Sequence, residues 1–597
     1  MIRLTRARRA TLCAVVAALI YFAGLGRPAL WEPDEGRYAE VAREMVVSGD
    51  YVTPRNDWVR YFEKPPLVYW ATAGSLRLFG HNEFAVRLQA ALFSAGQVAT
   101  TAVLGEEMFG IAAGLFGAMA LALSPLFFAF ARFATPDPAL ALFFTAALAC
   151  FWMAARPPGF DRHAARAWMV AAAAMLALGT LAKGPVALVL GGGVALVWLI
   201  VEGRLRDALK IPWLRCAAIY LAITVPWFVL AATRNPGFVQ FFFVHEHLHR
   251  YLENTEHGWG PWFFVPVIVG GTWPWIFFAP LGLDPLRLDP IDADSANREG
   301  GESPLTLRSA LKFLLIWFGL VVVFFSIPRS KLGEYILPAL PALAMVMGHG
   351  LARLGKIPAG RARRMLAVFV ICNAALALAA VAAVFVIGHR LGATIRAEAV
   401  AAAVALFSGA AAAFFICRDR PRPMTAALPI AIGVLLAMGA MTKAREDAAP
   451  MASYRTLAGL INPYLGEGCV LASYRHQIQS LPFYTGVREA LVAYRGELAP
   501  FGADADAAAS FIPTDQRLQS VWSSSRCMVI VANRVDLVHL ESLLSPAPSI
   551  IGCEGKKFAL YNQPVRSAPA LSAECGTGNG GAPPGASKGL GSPHGHL

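Results

Sequence analysis

Long uncharged apolar runs recur along this chain from Leu12 to Met441, and they constrain its fold more than any other feature. A run of about 20 apolar residues can cross roughly 30 Å of hydrocarbon as a helix, in which every backbone polar group finds an internal partner. A soluble domain could not bury this much apolar surface, since 56% of the 597 residues are hydrophobic and only 15% are charged. The sequence therefore predicts a mainly α, polytopic helical membrane protein.

Hydropathy and length predict about thirteen membrane spans. We place them at 11–30, 83–104, 111–131, 138–155, 167–182, 185–201, 213–232, 262–282, 310–327, 335–352, 365–388, 396–416 and 425–442. The first is predicted to be an uncleaved span, because no small-residue cleavage site follows it before Trp31.

The segments between spans sort by charge. If the spans alternate, the arginine-rich start and the basic segments 156–166, 204–215, 353–364 and 418–422 fall on one side. The positive-inside rule assigns that side to the cytoplasm, so an odd number of spans places the region after Lys443 in the periplasm of a bacterial inner membrane. The net charge of +13 therefore reflects topology. Nucleic-acid binding is disfavoured, because its aromatic–basic interleaving is missing.

Composition divides the chain into three regions. Residues 1–444 form the predicted transmembrane domain, and its first loop, 31–82, carries the main motifs. Residues 445–564 alternate short β-rich runs with helical stretches, which predicts a small α/β periplasmic domain. Residues 565–597 are rich in Gly, Ala, Pro and Ser without an apolar period, which predicts a disordered tail.

The cysteines fall into two groups. Five of them, Cys13, Cys150, Cys216, Cys372 and Cys417, lie in or beside apolar runs and are predicted to be small core residues. The other four, Cys469, Cys527, Cys553 and Cys575, lie beyond the last span. A periplasmic location permits a disulfide there, such as Cys469–Cys553 or Cys527–Cys553, but the sequence does not choose the pairing.

Five segments on the predicted periplasmic side place charges against the positive-inside rule, beside aromatic residues and prolines at the membrane boundary. They are 31–82, 132–138, 183–185, 233–261 and 328–335. Such placement is costly and is typical of function. We expect the five segments to converge on one face.

The acids and cations in these segments each have two interpretations. Asp34 after Pro33 is suited either to capping a helix or to acting as a base or ligand at the membrane surface. Lys64 could neutralise a lipid phosphate or anchor the chain at head groups, but an anchor does not need the adjacent Glu63. Asp137, between two prolines, and Lys183, before Gly184-Pro185, could be a cap and an anchor or contacts to a substrate.

Residues 245–249 match the H-E-x-x-H pattern of zinc proteases. The extended pattern requires a third histidine at position 255, which is Thr255, so a protease is disfavoured while a metal ligand in another kind of site stays open. Lys331 could be an anchor, or could join Arg37, Lys64 and Arg250 in a phosphate cradle. The sequence has no Walker loop and no Rossmann glycine pattern, which favours a lipid-linked donor over a nucleotide.

Together these motifs resemble one family. The segments 34–38 (DEGRY), 61–66 (YFEKPP) and 330–332 (SKL) with 335–341 (YILPALP) are similar to the 4-amino-4-deoxy-L-arabinose transferases, which modify lipid A. That family belongs to the GT-C superfamily and is related to the protein O-mannosyltransferases. The likeness is dense over 31–138 and fades in the C-terminal region. Gly333-Glu334 stands where the family more usually has a Pro-Thr-like pair.

The resemblance implies roles for individual residues. It implies that Asp34 is the essential carboxylate and Asp137 a second acidic position facing the site. It implies a divalent metal, zinc, held by Glu63 and His245, with His247 as the alternative. It implies that the carrier phosphate contacts Arg37, Lys64, Arg250 and Tyr335, and we add Lys183 and Lys331 as further candidates for phosphate binding.

The expected function is inverting transfer of a sugar, 4-amino-4-deoxy-L-arabinose, from undecaprenyl phosphate to lipid A at the periplasmic face. A related transferase acting on a protein, a glycan or another lipid is the alternative within this class. A lipid-carrier flippase or transporter is the alternative from a different class, but the spans are nearly free of charge and show no repeat. A zinc membrane protease ranks last.

Overall fold

The computed structural model describes residues 4–156, 160, 162–249, 258–284, 304–387, 392–501 and 505–565. Its α-helices in the first part of the chain are α1 (Arg6–Phe22), α2 (Asp34–Ser48), α3 (Leu67–Phe79), α4 (Glu83–Phe109), α5 (Ile111–Ala122), α6 (Pro125–Ala131), α7 (Asp137–Ala155), α8 (His163–Lys183), α9 (Val186–Val201) and α10 (Trp213–Arg234). They are followed by α11 (Phe264–Thr272), α12 (Ala279–Leu283), α13 (Pro304–Ser326), α14 (Leu340–Arg353), α15 (Ala359–Ile387), α16 (Ala393–Cys417) and α17 (Pro423–Ala452). A π-helix spans Gln240–His249, and a 3-10 helix, Gly333–Ala339, leads into α14.

The helices coincide with the predicted spans. Within the described residues nine helices are long and apolar enough to cross a membrane, and two bent pairs raise that number to eleven. One bent pair is α5 with α6, and the other begins at Pro261 and ends at Leu283. The two remaining predicted spans are the shorter helices α1 and α9, with 17 and 16 residues. The prediction of a polytopic helical membrane protein is confirmed.

Helix α2 does not cross the membrane, because it carries ionisable residues along its length. Asp34 and Glu35 occupy its first turn, where negative charge complements the helix dipole, and Gly49 ends it in the left-handed conformation. Its side chains are buried from Glu35 to Met45. A helix this polar and this buried must satisfy its charges internally, and it therefore anchors the segments that surround it.

A short hairpin follows α2. Strands β1 (Arg55–Asn56) and β2 (Val59–Arg60) pair antiparallel. The two residues of the turn, Asp57 and Trp58, both have positive φ, as a two-residue hairpin turn requires. The turn points its polar groups at the C-terminal region.

The C-terminal region contains a six-stranded sheet within its described residues, in the order β5-β4-β3-β6-β8-β7. The strands are β3 (Val470–Tyr474), β4 (Glu489–Val492), β5 (Phe511–Ile512), β6 (Met528–Asn533), β7 (Ser549–Glu554) and β8 (Lys557–Tyr561). The first four strands in that order are parallel to one another, and β8 runs antiparallel to both of its neighbours, β6 and β7. Helices α18 (Arg455–Ile461), α19 (Leu481–Thr485), α20 (Asp515–Ser524) and α21 (Arg534–Leu543) accompany the sheet, so the predicted α/β character is confirmed.

Two details of this region differ from the sequence expectations. Cys469 forms a disulfide with Cys527, a pairing that the sequence examples did not include. The two cysteines come together because they precede the neighbouring parallel strands β3 and β6. The last long helix, α17, continues to Ala452, beyond the boundary drawn at 444. The predicted disordered tail lies outside the described residues except for residue 565.

The C-terminal region is docked on the segment between α1 and α3 by polar contacts. The Glu32 carboxylate accepts hydrogen bonds from the backbone N–H groups of Gln479 (3.0 Å) and Ser480 (2.7 Å). The Asp57 carboxylate accepts one from the backbone N–H of Glu489 at 2.8 Å. These contacts fix α2 between the helical bundle and the sheet.

Candidate active site

A cavity of about 460 Å³ lies where the N-terminus of α2, the segment before α7, the α8–α9 turn and the segment before α14 meet. Its ionisable and aromatic lining comprises Asp34, Arg37, Tyr38, Glu63, Lys64, Asp137, Lys183, Glu246, Phe324, Phe325, Glu334 and Tyr335. The structure thus brings together seven of the residues selected from the sequence: Asp34, Arg37, Glu63, Lys64, Asp137, Lys183 and Tyr335.

Asp34 and Arg37 come from the first turn of α2. The Asp34 side chain is 37% exposed, and its Oδ1 lies 3.6 Å from Nη1 of Arg37. Arg37 is nearly buried and pairs more closely with Glu497 of the C-terminal region, with 3.0 Å between Nη2 and Oε1. Within the described residues Nε of Arg37 has no hydrogen-bond acceptor. Asp34 is therefore open to a substrate, whereas the unpaired Nε of Arg37 is buried.

Lys64 lies between two carboxylates. Its Nζ is 2.7 Å from Oε1 of Glu246 and 3.8 Å from Oε2 of Glu63. Glu246, in the π-helix, was noted only as part of the H-E-x-x-H match and was not selected as a site residue. The sequence does not indicate that Glu246 is buried, because it lies in a polar run rich in histidine. The two acids hold the lysine at the cavity wall.

Asp137, Lys183 and Tyr335 form a second group. Asp137 lies in the first turn of α7 and Lys183 ends α8, so the dipole of each helix favours the charge that it carries. Lys183 Nζ is 2.5 Å from Asp137 Oδ1 and 4.6 Å from the centre of the Tyr335 ring. Gly184 turns the chain with a φ of 96°, which a residue with a Cβ would rarely adopt. The turn positions Lys183 against Asp137.

The cavity wall carries five carboxylates, those of Asp34, Glu63, Asp137, Glu246 and Glu334, and three cations. Each of the three described cations in the lining has a carboxylate partner: Glu497 for Arg37, Glu246 for Lys64 and Asp137 for Lys183. These partners hold the cations in fixed positions. An anionic ligand would meet an arrangement that needs little reorganisation.

The other predicted site residues are placed differently. Lys331 does not line the cavity: it is 2% exposed and donates hydrogen bonds to the carbonyls of Trp259 (3.0 Å) and Pro328. His245 is exposed, and its ring stacks on Phe241 at 5.4 Å rather than lining the cavity. Arg250 and the side chain of His247 lie outside the described residues.

The described residues do not form an evident zinc site. No group of three His, Cys, Asp or Glu side chains among them has an arrangement that could hold a metal ion. A zinc ion in a protein usually has three or four such ligands. The zinc contacts assigned to Glu63 and His245 stay a prediction, and no step below depends on a metal.

Comparisons with known proteins support this description. The model of the dolichyl-phosphate-mannose-protein mannosyltransferase family matches residues 7–242. The structure of ArnT from Cupriavidus metallidurans bound to undecaprenyl phosphate superposes with a TM-score of 0.78 at 29% identity, covering 93% of this chain and 98% of that one. The bundle, the loop with the cavity and the C-terminal region therefore share one fold with that protein.

Two curated relatives are similar in sequence. Undecaprenyl phosphate-alpha-4-amino-4-deoxy-L-arabinose arabinosyl transferase 2 of Pseudomonas fluorescens is 32% identical over 345 residues, which is 57% of this chain and 55% of the relative. The corresponding transferase of Pseudomonas aeruginosa is 31% identical over 385 residues, 64% of this chain and 66% of the relative. The alignments thus span between about half and two thirds of these relatives.

The fold and the cavity define a polytopic membrane protein of the GT-C superfamily. Within that superfamily, the matches identify the chain as a relative of the 4-amino-4-deoxy-L-arabinose transferase family, as the motifs of the sequence had predicted.

Proposed function

We propose that the protein is an inverting glycosyltransferase that moves a sugar from undecaprenyl phosphate to lipid A, the sugar being 4-amino-4-deoxy-L-arabinose. One observation carries the proposal: Asp34, open to a substrate, shares a cavity with three cations that are fixed at its wall. The similarity to a structure bound to undecaprenyl phosphate and to the named transferases supports the choice of donor.

The proposed reaction exchanges one phosphate ester for another. The bond between the anomeric carbon and the carrier's phosphate oxygen breaks, and its electron pair leaves with the carrier phosphate. A lipid A phosphate oxygen forms the new bond from the opposite face, which inverts the anomeric centre. The carrier phosphate gains one negative charge and the acceptor phosphate loses one. Arg37, Lys64 and Lys183 stabilise the charge that develops on the leaving phosphate.

Asp34 acts on the sugar or on the acceptor. A phosphate acceptor is already ionised, so Asp34 then orients it or stabilises positive charge on the sugar ring. A hydroxyl acceptor has a proton to lose, and Asp34 then takes it as the general base. The weak 3.6 Å contact with Arg37 leaves the carboxylate available for either role.

We place the cavity at the periplasmic face of the inner membrane. The support is the charge pattern: the basic segments 204–215, 353–364 and 418–422 lie at the opposite ends of the spans from the cavity residues. The lipid carrier could then reach the cavity laterally from the outer leaflet, with its apolar tail in a groove between spans.

The test uses purified full-length protein with defined undecaprenyl-phosphate sugars and a lipid A precursor, with products followed by mass spectrometry. Asp34→Asn should abolish transfer while the protein stays folded, and Asp419→Asn, whose side chain is 79% exposed, is the matched control. Wild-type turnover by Asp34→Asn would refute its role. Transfer of mannose to a peptide, but not of aminoarabinose to lipid A, would favour the mannosyltransferase alternative. The match of residues 7–242 to the mannosyltransferase family is the observation that supports this alternative.

A further inference from the structure

A second, smaller cavity of about 240 Å³ lies behind the catalytic segments. Its wall includes Trp31, Phe128, Arg132, Phe133, Met441 and Arg445, and we call it the arginine pocket. The first residues of 31–37 and 132–137 line it, while the last residues of the same two segments line the catalytic cavity. The pocket therefore lies at the same end of the bundle as the catalytic cavity.

The charges around the arginine pocket do not balance. Arg87 and Arg445 both pair with the fully buried carboxylate of Glu35, and Arg132 lies close enough to feel the charges of both arginines. Arg87 donates two hydrogen bonds to Glu35, at 2.6 and 2.7 Å, and Arg445 donates one at 2.7 Å. Glu83 also acts on Arg87 but is itself paired with Arg455, so among the described residues four guanidinium groups, those of Arg87, Arg132, Arg445 and Arg455, face two carboxylates.

The carboxylate of Glu35 cannot accept much more. Besides the three hydrogen bonds from arginines, it accepts the backbone N–H groups of Trp31 (3.1 Å) and Ala134 (3.2 Å). Burial, together with the charges of Arg445 and Arg87, lowers the pKa of Arg132 to about 10. The repulsion from the two neighbouring guanidinium groups agrees with the excess of positive charge.

Two residues of the pocket wall each have a buried hydrogen-bond donor without an acceptor among the described residues. Nε1 of Trp31 and Nε of Arg445 are buried and have no acceptor in the described part of the chain. Arg132 uses Nη1 for the carbonyls of Tyr21 (2.8 Å) and Ala23 (2.6 Å). An unsatisfied buried donor is costly, so an acceptor within reach of these groups would stabilise the protein.

A purely structural interpretation explains part of this arrangement. Arg132 caps the end of α1, and the Arg445 guanidinium lies 5.3 Å from the Trp31 ring and 5.0 Å from the Phe133 ring. Such contacts use the ring faces and stabilise a cation, but they offer no acceptor to its N–H groups. The donors and the excess charge remain.

We propose that the arginine pocket binds the phosphate group of a membrane lipid. Guanidinium groups bind phosphate oxygens through paired N–H donors, and the indole N–H of Trp31 supplies a further donor. The lipid's acyl chains would run along α17, whose Met441 and Leu436 are 45% and 62% exposed. Because segments 31–37 and 132–137 contribute to both the pocket and the catalytic cavity, a bound lipid stabilises the part of the catalytic wall that they form.

The experiment measures binding to full-length protein in detergent. The probe is dioctanoyl phosphatidic acid, dioctanoylglycerol is the control without phosphate, and the readout is the shift in the thermal unfolding midpoint over a titration. Ala129→Phe fills the pocket without touching the arginines, and Arg445→Gln removes one of them. Lys64→Met disables phosphate binding in the catalytic cavity. The matched control is Arg418→Gln, which changes an exposed arginine between α16 and α17, at the opposite end of α17 from the pocket.

We expect phosphatidic acid to stabilise the wild type, Lys64→Met and Arg418→Gln alike, and dioctanoylglycerol to have no effect. The apparent affinity should fall about tenfold or more in Ala129→Phe and in Arg445→Gln. Unchanged affinity in Ala129→Phe would overturn the proposal. Loss of the shift in Lys64→Met would instead assign the binding to the catalytic cavity. An equal shift with inorganic phosphate would show an anion site without lipid specificity, which also overturns it.

Discussion

Four buried carboxylates where the hairpin meets the C-terminal sheet predict an unusual dependence of stability on pH. Glu40, Glu44, Asp57 and Glu489 are each at most 1% exposed. Arg43 pairs with Glu40 at 2.6 Å, whereas Oδ2 of Asp57 has no hydrogen-bond partner among the described residues. Acids this buried are costly to ionise.

The sign of the effect follows from the direction of the pKa shifts. Burial, and then the charge of Asp57, raises the pKa of Glu489 well above its usual value. Burial likewise raises the pKa of Asp57 and of Glu44. The folded protein therefore keeps protons that the unfolded chain releases above about pH 4.5. The stability these groups contribute is present in full below that pH and is lost as the pH rises through the folded-state pKa values.

Glu489→Gln isolates one of these groups. The side-chain oxygen can still accept the long hydrogen bond from the backbone N–H of Ile478, at 3.4 Å, but it no longer titrates. One proton held only by the folded state changes stability by about 1.4 kcal/mol per pH unit, so between pH 5 and pH 8 this residue alone accounts for a loss of up to about 4 kcal/mol. The variant should be more stable than the wild type at pH 8 and should differ little from it at pH 5.

The assay is thermal unfolding of the full-length protein in detergent at pH 5, 6, 7 and 8. Glu541→Gln, an exposed acid in the same domain, is the control and should follow the wild type. The reasoning fails if the wild type is equally stable at pH 5 and pH 8. It fails also if Glu489→Gln loses stability with pH as steeply as the wild type.

Three further predictions concern the site and its support. Lys64→Met should raise the KM for the donor about 10-fold to 100-fold, because a charged contact is lost. Lys331→Met should leave that KM unchanged and should lower the unfolding temperature. Equal effects of the two variants on KM would contradict the placement of Lys331 outside the cavity. If the zinc prediction is correct, elemental analysis will find about one zinc per chain, and His245→Ala will lose it; zinc-free active protein would end that prediction. Gly36→Ala should weaken the docking of the C-terminal region, because the added Cβ would lie 2.5 Å from the backbone nitrogen of Ser480. Proteolysis of that region should then be faster. Resistance to proteolysis equal to that of the wild type would show that the two surfaces can separate without cost.

The sequence predicted the helices and much of the cavity for a physical reason. Span length and apolarity are local properties, so each predicted span coincides with a helix. Threading by loop charge then placed Asp34, Lys64, Asp137 and Lys183 at one end of the bundle, where the structure brings them into a single cavity.

What the sequence could not supply depends on tertiary contacts. The pairing of Cys469 with Cys527 follows from the neighbouring positions of two strands, which residue spacing does not encode. The burial of Lys331 depends on the direction of two backbone carbonyls. Glu497 reaches Arg37 across 460 positions of sequence, from a region too divergent for any residue to be assigned by resemblance.

The contact between Arg37 and Glu497 can form only late in biosynthesis, because it joins the first loop to the C-terminal region. A growing chain inserts its helices, and with them nearly the whole cavity wall, while the carboxylate that holds Arg37 most closely has yet to be translated. Arg37 gains this partner only when the ribosome has passed residue 497 and the C-terminal region has docked on the first loop. In a protein truncated before that point, Arg37 would lack its 3.0 Å ion pair with Glu497 and would keep the longer one with Asp34, at 3.6 Å.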